Sequence, residues 1–229
     1  MKKLVITLSF LSVFTAAQAQ ETEEHHEEPK ATSAKPKNMF TKKDFGVNLG
    51  INQFQDARRI PDLNPWGSRY VALDFRRNDA LLTGRQVDVA IGSGLQVSWN
   101  NYRFEDDVRM VEGGQFQPIG FPVEKSKLTV ARLELPVILQ FGFKESGFRF
   151  GVGAYGGLRI ASYQKVQETS NRRSTERFHD DYNLNPFNYG LMAEAGRRNL
   201  RLFVKYDMTT TFQADSPVQG TTWAAGIRL

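Results

Sequence analysis

The chain contains no cysteine. That excludes disulfides, thiolate metal centres, cysteine nucleophiles and a lipid anchor on an N-terminal cysteine. It also lacks any apolar run of the roughly 20 residues that a membrane-crossing helix needs; the one sustained run, Leu4 to Ala16, falls short. Histidine is scarce, at three residues, and neither GxSxG nor HExxH occurs, so no serine-hydrolase or zinc-protease signature is present. Net charge is small as well. The formal value of +5 falls to +3 if Lys2 and Lys3 leave with a signal peptide, too weak a balance to argue for nucleic acid. No cofactor or metal is called for.

What is present begins with an export signal. Lys2 and Lys3 precede the apolar run, and Ala17-Gln18-Ala19 is a small-residue cleavage site, so residues 1–19 read as a signal peptide rather than a membrane anchor. Residues 20–43 read as a linker. Its acidic run, Glu21 to Glu28, gives way to Lys, Pro, Ala and Ser; little apolar surface is available to bury, and disorder is expected. His25 and His26 lie in the acidic run, where a solvated tail is preferred over a weak metal site.

From Phe45 onward the apolar period is two. Phe45, Val47, Leu49 and Ile51 alternate with Gly46, Asn48, Gly50 and Asn52. The eighth and last such segment sets Trp223, Ala225, Ile227 and Leu229 against Ala224, Gly226 and Arg228. One face is apolar and the other carries glycine, amides and charge, the pattern of a strand between lipid and a narrow polar interior. A mean hydropathy of −0.45 is compatible with this, because only alternate residues need be apolar. The connections alternate in length: 55–68, 105–126, 168–186 and 213–220 are long and polar, whereas 77–84, 144–147 and 197–199 are short. Residues 44–229 are therefore expected to be all-β, an eight-stranded antiparallel up-and-down transmembrane β-barrel in the cell outer membrane, with both termini periplasmic and its last strand paired with its first. Phe75, Phe141, Phe143, Phe148 and Phe150 gather beside the short links, and Trp99, Phe187, Tyr189 and Trp223 beside the long ones, as two interfacial girdles would. Pro136 is discordant, since proline cannot donate to a ladder; a bulge or an unpaired acceptor is expected there.

Two stretches carry a resemblance: LELPVILQFGF (Leu133 to Phe143), and LNPFNYGLMAEAG with RRNLRLFVKYDM (Leu184 to Met208). They resemble the PorT-type outer-membrane β-barrel proteins of Bacteroidota. The resemblance spans about Phe45 to Leu229. It implies an integral barrel of about eight strands, a proline tolerated at Pro136, and, from the name-giving members, an accessory role in protein secretion. Such barrels usually finish on an aromatic residue that the barrel assembly machinery reads; Leu229 departs from that.

An eight-stranded barrel is just wide enough for side chains to fill it. The expected inward charges are Asp74, Arg76, Asp88, Arg132, Glu134, Arg149, Arg159, Glu194, Arg201, Lys205, Asp207 and Arg228. They are mixed in sign and should pair into a structural plug rather than a channel, because an unpaired buried charge is costly. On the long loops, Arg58, Arg59, Arg69, Arg172, Arg173 and Arg177 are candidate lipopolysaccharide contacts, since the guanidinium fork fits phosphate; ordinary loop charge is the alternative. His179, beside Asp180 and Asp181 with Ser174 near, is the one place for a lipid- or peptide-cleaving site. Its spacing fits no hydrolase pattern, and the chain is read as not an enzyme. A soluble lipocalin-like binder would share the period with its faces reversed, but glycines on the polar face argue against it. The expected function is structural or interacting, with outer-membrane lipid and lipopolysaccharide, the barrel assembly machinery and secretion-system proteins as partners, and no nucleic acid.

Overall fold

The computed structural model describes residues 38–229 apart from 112, 122, 170–174 and 198–199, with backbone only at 175 and 176. The signal peptide, most of the linker with its two histidines, and Arg172, Arg173 and Ser174 lie outside the described residues. The period-two segments become strands β1 (Lys43–Arg58), β2 (Arg69–Thr83), β3 (Val87–Arg103), β6 (Val123–Phe143), β7 (Phe148–Glu168), β9 (Phe187–Arg197), β10 (Leu200–Thr210) and β11 (Gln219–Arg228). Three shorter strands, β4 (Val108–Val111), β5 (Gln115–Pro118) and β8 (Thr175–His179), sit in long connections that the sequence had left without structure.

The eight long strands close in the order β6-β3-β2-β1-β11-β10-β9-β7, with β7 pairing back onto β6. Every pairing is antiparallel, and the first strand meets the last as expected, with Leu49 opposite Ile227. Leu229 continues that seam by exchanging backbone hydrogen bonds of 2.9 and 3.0 Å with Val47. β4 and β5 form a hairpin, and β8 pairs with the part of β7 that projects beyond β9. The short links are tight. At the β6–β7 turn Gly147 takes a positive φ of 68°, and its N–H donates to the Phe143 carbonyl at 2.8 Å.

Strand β6 shows what medium each part of the fold is built for. From Leu133 to Phe143 its outward residues are apolar, and Leu135 and Val137 among them are exposed, while inward Arg132, Glu134 and Gln140 are buried. That is an eleven-residue stretch, the length a tilted strand needs to cross a bilayer. Nearer the long loops the faces exchange character. Outward come Thr129, Lys127 and Lys125; inward come Val130 and Leu128, both fully buried. The change falls at residues 131–132 on both faces, so lipid surrounds one part of the strand and water the other. Above that level the strands enclose an ordinary apolar core. Tyr102, Leu128, Val130, Tyr182, Leu184 and Phe212 belong to it, the Phe54 and Tyr102 rings stack 4.3 Å apart, and the β4–β5 hairpin adds Met110.

Two aromatic bands flank the apolar belt. Phe45 lies 4.8 Å from Phe75, and Phe143 lies 6.3 Å from Phe148, at the short-turn end; Phe187 and Tyr189 are exposed toward the long-loop end. Pro136 needs no bulge. The β3–β6 pairing lapses between Ser93↔Val137 and Gln96↔Glu134 and resumes in the same register, so the missing donor is absorbed by a gap in one ladder.

Candidate functional site

Period two aims the polar face of all eight strands into one narrow space, and the charges meet there. Toward the short-turn end six residues form a closed ring of alternating sign. Asp44 contacts Arg228 (3.1 Å), Arg228 contacts Asp74 (2.8 Å), and Asp74 contacts Arg76 (2.6 Å). Arg76 then reaches Glu194 (2.9 Å), Glu194 reaches Arg201 (2.8 Å), and Arg201 returns to Asp44 (3.0 Å). The Arg228–Asp74 pair is two-pronged, with Nε donating to Oδ2 at 3.0 Å and the terminal nitrogen to Oδ1. Three acids balance three arginines. Among the described residues the Nε atoms of Arg76 and Arg201 find no acceptor.

A second cluster lies nearer the membrane's other face. Lys205 donates to Glu134 at 2.6 Å, to Gln96 at 3.1 Å and to the Tyr70 hydroxyl at 3.1 Å, with its ammonium 4.0 Å from the Tyr155 ring centroid. Arg132 pairs with Asp207 at 2.7 Å, and the Tyr155 hydroxyl donates to the same carboxylate. Asn188 donates to Glu134 at 3.0 Å. The cavity between these groups is ≈ 10 Å³, about the space of one water. Such pairs hold a barrel shut because each partner left alone would be a buried, unsolvated charge.

The short-turn mouth is filled by residues the sequence had placed in the linker. Phe40 is buried with the Arg149 guanidinium 5.3 Å from its ring. The Met39 N–H donates to Asp88 at 2.7 Å, Asp88 also pairs with Lys144 at 3.1 Å, and Asn78 donates to the Thr41 carbonyl at 2.9 Å. Of the expected inward charges, ten are buried in the two clusters or beside this mouth, and Arg149 is half-buried there. Arg159 does not join them. It sits at the long-loop end of the membrane stretch, paired with Asp181 at 2.9 Å. Asp44, Tyr70, Gln96, Tyr155, Asn188 and Lys144 were missing from the expected network. Asp44 was legible, since period two extended back from Gly46 points it inward.

On the long loops, Arg58 and Arg59 are exposed at the end of β1. Arg69 lines a concavity of ≈ 390 Å³ with Trp66, Arg103, Lys125 and Lys127, and Arg177 is exposed on β8. The His179 ring packs 5.7 Å from Tyr163, while the neighbouring Asp181 is engaged with Arg159. Tyr182, under that loop, donates to the Phe178 carbonyl at 2.8 Å, and burial holds its phenol above the ordinary range.

The profile of the outer membrane protein β-barrel domain family matches residues 18–212. The chain belongs to that family. Membership, the closed eight-stranded sheet and its apolar outer belt make this an outer-membrane β-barrel protein. Two solved structures of Ail, the attachment invasion locus protein of Yersinia pestis, are similar to the barrel. One matches at 12% identity and a TM-score of 0.35; the other, in complex with the heparin analogue sucrose octasulfate, at 13% and 0.31. Each alignment covers 82% of this chain and 97% of that chain. No curated protein matches this barrel.

Proposed function

We propose that this barrel is a non-conducting outer-membrane scaffold that acts by binding. Its long-loop end faces outward, both termini are periplasmic, and its role is accessory to protein secretion, as in the PorT-type barrels it resembles. The observation that carries this reading is the filled interior. The alternating ring closes one level, the Lys205 cluster a second, and the apolar core under the loops a third. A barrel sealed at three levels has no path to conduct through, so what it offers are its outer surfaces, and loops on a rigid barrel are where binding residues are commonly held. Purified protein in planar bilayers is expected to give no large stable conductance; steady large currents would overturn the plugged reading. Affinity purification from native outer membrane in mild detergent is expected to retain secretion components. Recovery of assembly-machinery proteins alone would refute the accessory role.

A further inference from the structure

Four cations lie side by side just beyond the apolar belt. Arg103 on β3 is directly opposite Lys127 on β6, Lys127 is opposite Lys165 on β7, and Lys165 is opposite Arg177 on β8. All four occupy the outward face, and they span three strand spacings, about 14 Å. Like charges placed directly opposite one another oppose sheet formation, and this sheet repeats the arrangement three times in one row. Among the described residues none of the four has a carboxylate within ion-pair distance. Lys127 donates to the Asn101 amide oxygen at 3.1 Å, and the Arg177 guanidinium lies 5.9 Å from the Tyr163 ring centroid. The nearby acids are otherwise placed: Glu124 accepts from Gln167, Glu168 stands opposite Val123 at the far end of the strands, and Asp181 holds Arg159.

What lies below the row fixes the kind of ligand. The next outward row is Asn101, Thr129, Tyr163 and His179, with Arg69 opposite Asn101. Beneath it come Trp99, Ala131 and Ala161, and then Val97, Leu133 and Leu158 on the lipid-facing belt. Beside the row, exposed Trp66 overhangs the ≈ 390 Å³ concavity that Arg69, Arg103, Lys125 and Lys127 share. Cations above, an aromatic ring at the boundary and apolar surface below match one molecule that carries phosphate on its head and acyl chains beneath.

We infer that this row and its concavity bind the phosphates of an outer-leaflet glycolipid, with the acyl chains lying on the belt below Trp99. The inference rests on the outward orientation proposed above. Guanidinium and ammonium groups are the usual partners of phosphate oxygens.

Purified barrel in neutral detergent would be titrated with bisphosphorylated lipid A, the same lipid after dephosphorylation, inorganic phosphate and a sulfated polysaccharide, with bound ligand read by native mass spectrometry. The phosphorylated lipid is expected to bind best. The Lys127→Gln/Lys165→Gln pair should weaken it about fivefold per charge removed, and Arg77→Gln/Arg85→Gln, exposed at the opposite, short-turn end, should not. Heat-modifiable gel mobility confirms that each variant folds. Equal binding of the dephosphorylated lipid, or of the acyl-free polysaccharide, would overturn the site. Orientation is read separately, because a Trp66→Cys variant would carry the chain's only thiol. Labelling by an impermeant maleimide on intact cells supports the orientation. Phosphate-dependent binding in vitro without such labelling would overturn the orientation, and with it the outer-leaflet assignment, while the row's preference for phosphate would remain.

Discussion

Glu194→Gln tests the ring most directly. Glu194 is buried and holds Arg76 at 2.9 Å and Arg201 at 2.8 Å. Removing its charge keeps the shape but leaves each arginine with one carboxylate, Asp74 for Arg76 and Asp44 for Arg201. The ring then carries a net positive charge in a closed interior. Breaking a buried pair in this way costs about 3–5 kcal/mol. With a urea slope of roughly 2–3 kcal/mol/M, the unfolding midpoint should fall by about 1–2 M. The assay is urea unfolding in detergent micelles, followed by tryptophan fluorescence and by heat-modifiable mobility. Asp79→Asn is the control. Its partner Arg77 lies 2.9 Å away, but both side chains are about half exposed or more, and an exposed pair is worth about 0–1 kcal/mol. If Glu194→Gln costs no more than Asp79→Asn, the ring is decoration and the account of the sealed interior is wrong. Arg76→Met added to Glu194→Gln should recover part of the loss, because it removes one of the stranded charges.

Other outcomes follow from the same geometry. Leu135→Arg places a charge in mid-belt and should cost about 2–4 kcal/mol, whereas Gln167→Arg, half-buried on the outward face beyond the level where the faces exchange, should cost about 0–1; equal costs in reconstituted unfolding assays would misplace the membrane boundary. Lys127→Glu turns two like-charge oppositions, with Arg103 and Lys165, into attractive ones. It should stabilise lipid-free protein by about 1 kcal/mol as measured by thermal melting, while lowering glycolipid retention. Gly46→Ala should destabilise by about 1–3 kcal/mol, since a Cβ there would overlap the Arg228 guanidinium and the Asp74 carboxylate; an unchanged urea midpoint would mean the ring can shift to make room.

Within the belt the fold was legible because one physical contrast repeats eight times. Lipid outside and charge inside make residues such as Leu135 and Glu134 alternate without ambiguity, and the seam between Leu49 and Ile227 follows once the strands are counted. The reading failed where that contrast changes. At Leu128 and Val130 the inward side chains turn apolar while Lys127 outside turns polar, so the strand continues but its pattern inverts, and β6 was read as beginning too late. The β4–β5 hairpin and β8 are short and pack against that upper core, with too few residues for a period to show. Phe40 was lost among Lys, Pro and Ala, since a single apolar residue carries no period. The ring partners were harder still. Sequence placed Arg76 and Glu194 on the same face, but their meeting across the lumen depends on shear and tilt, which alternation does not encode.

The ring also bears on how the barrel chooses its own closure. A one-residue error where β1 meets β11 would turn every side chain to the wrong medium, and the apolar pattern alone rejects it. A two-residue error is different. Trp223, Ile227 and Leu229 would still face lipid, and the belt would be as apolar as before. Yet Arg228 would be displaced by about 7 Å along the strand, out of reach of Asp44 and Asp74, and since Arg201 stays opposite it on β10, Asp44 and Asp74 would be left with Arg76 alone while Arg201 and Arg228 would share Glu194. The charges that seal the lumen thus discriminate among wrong closures that hydrophobicity treats as equal, and they do so at the seam itself, where Asp44 meets Arg228.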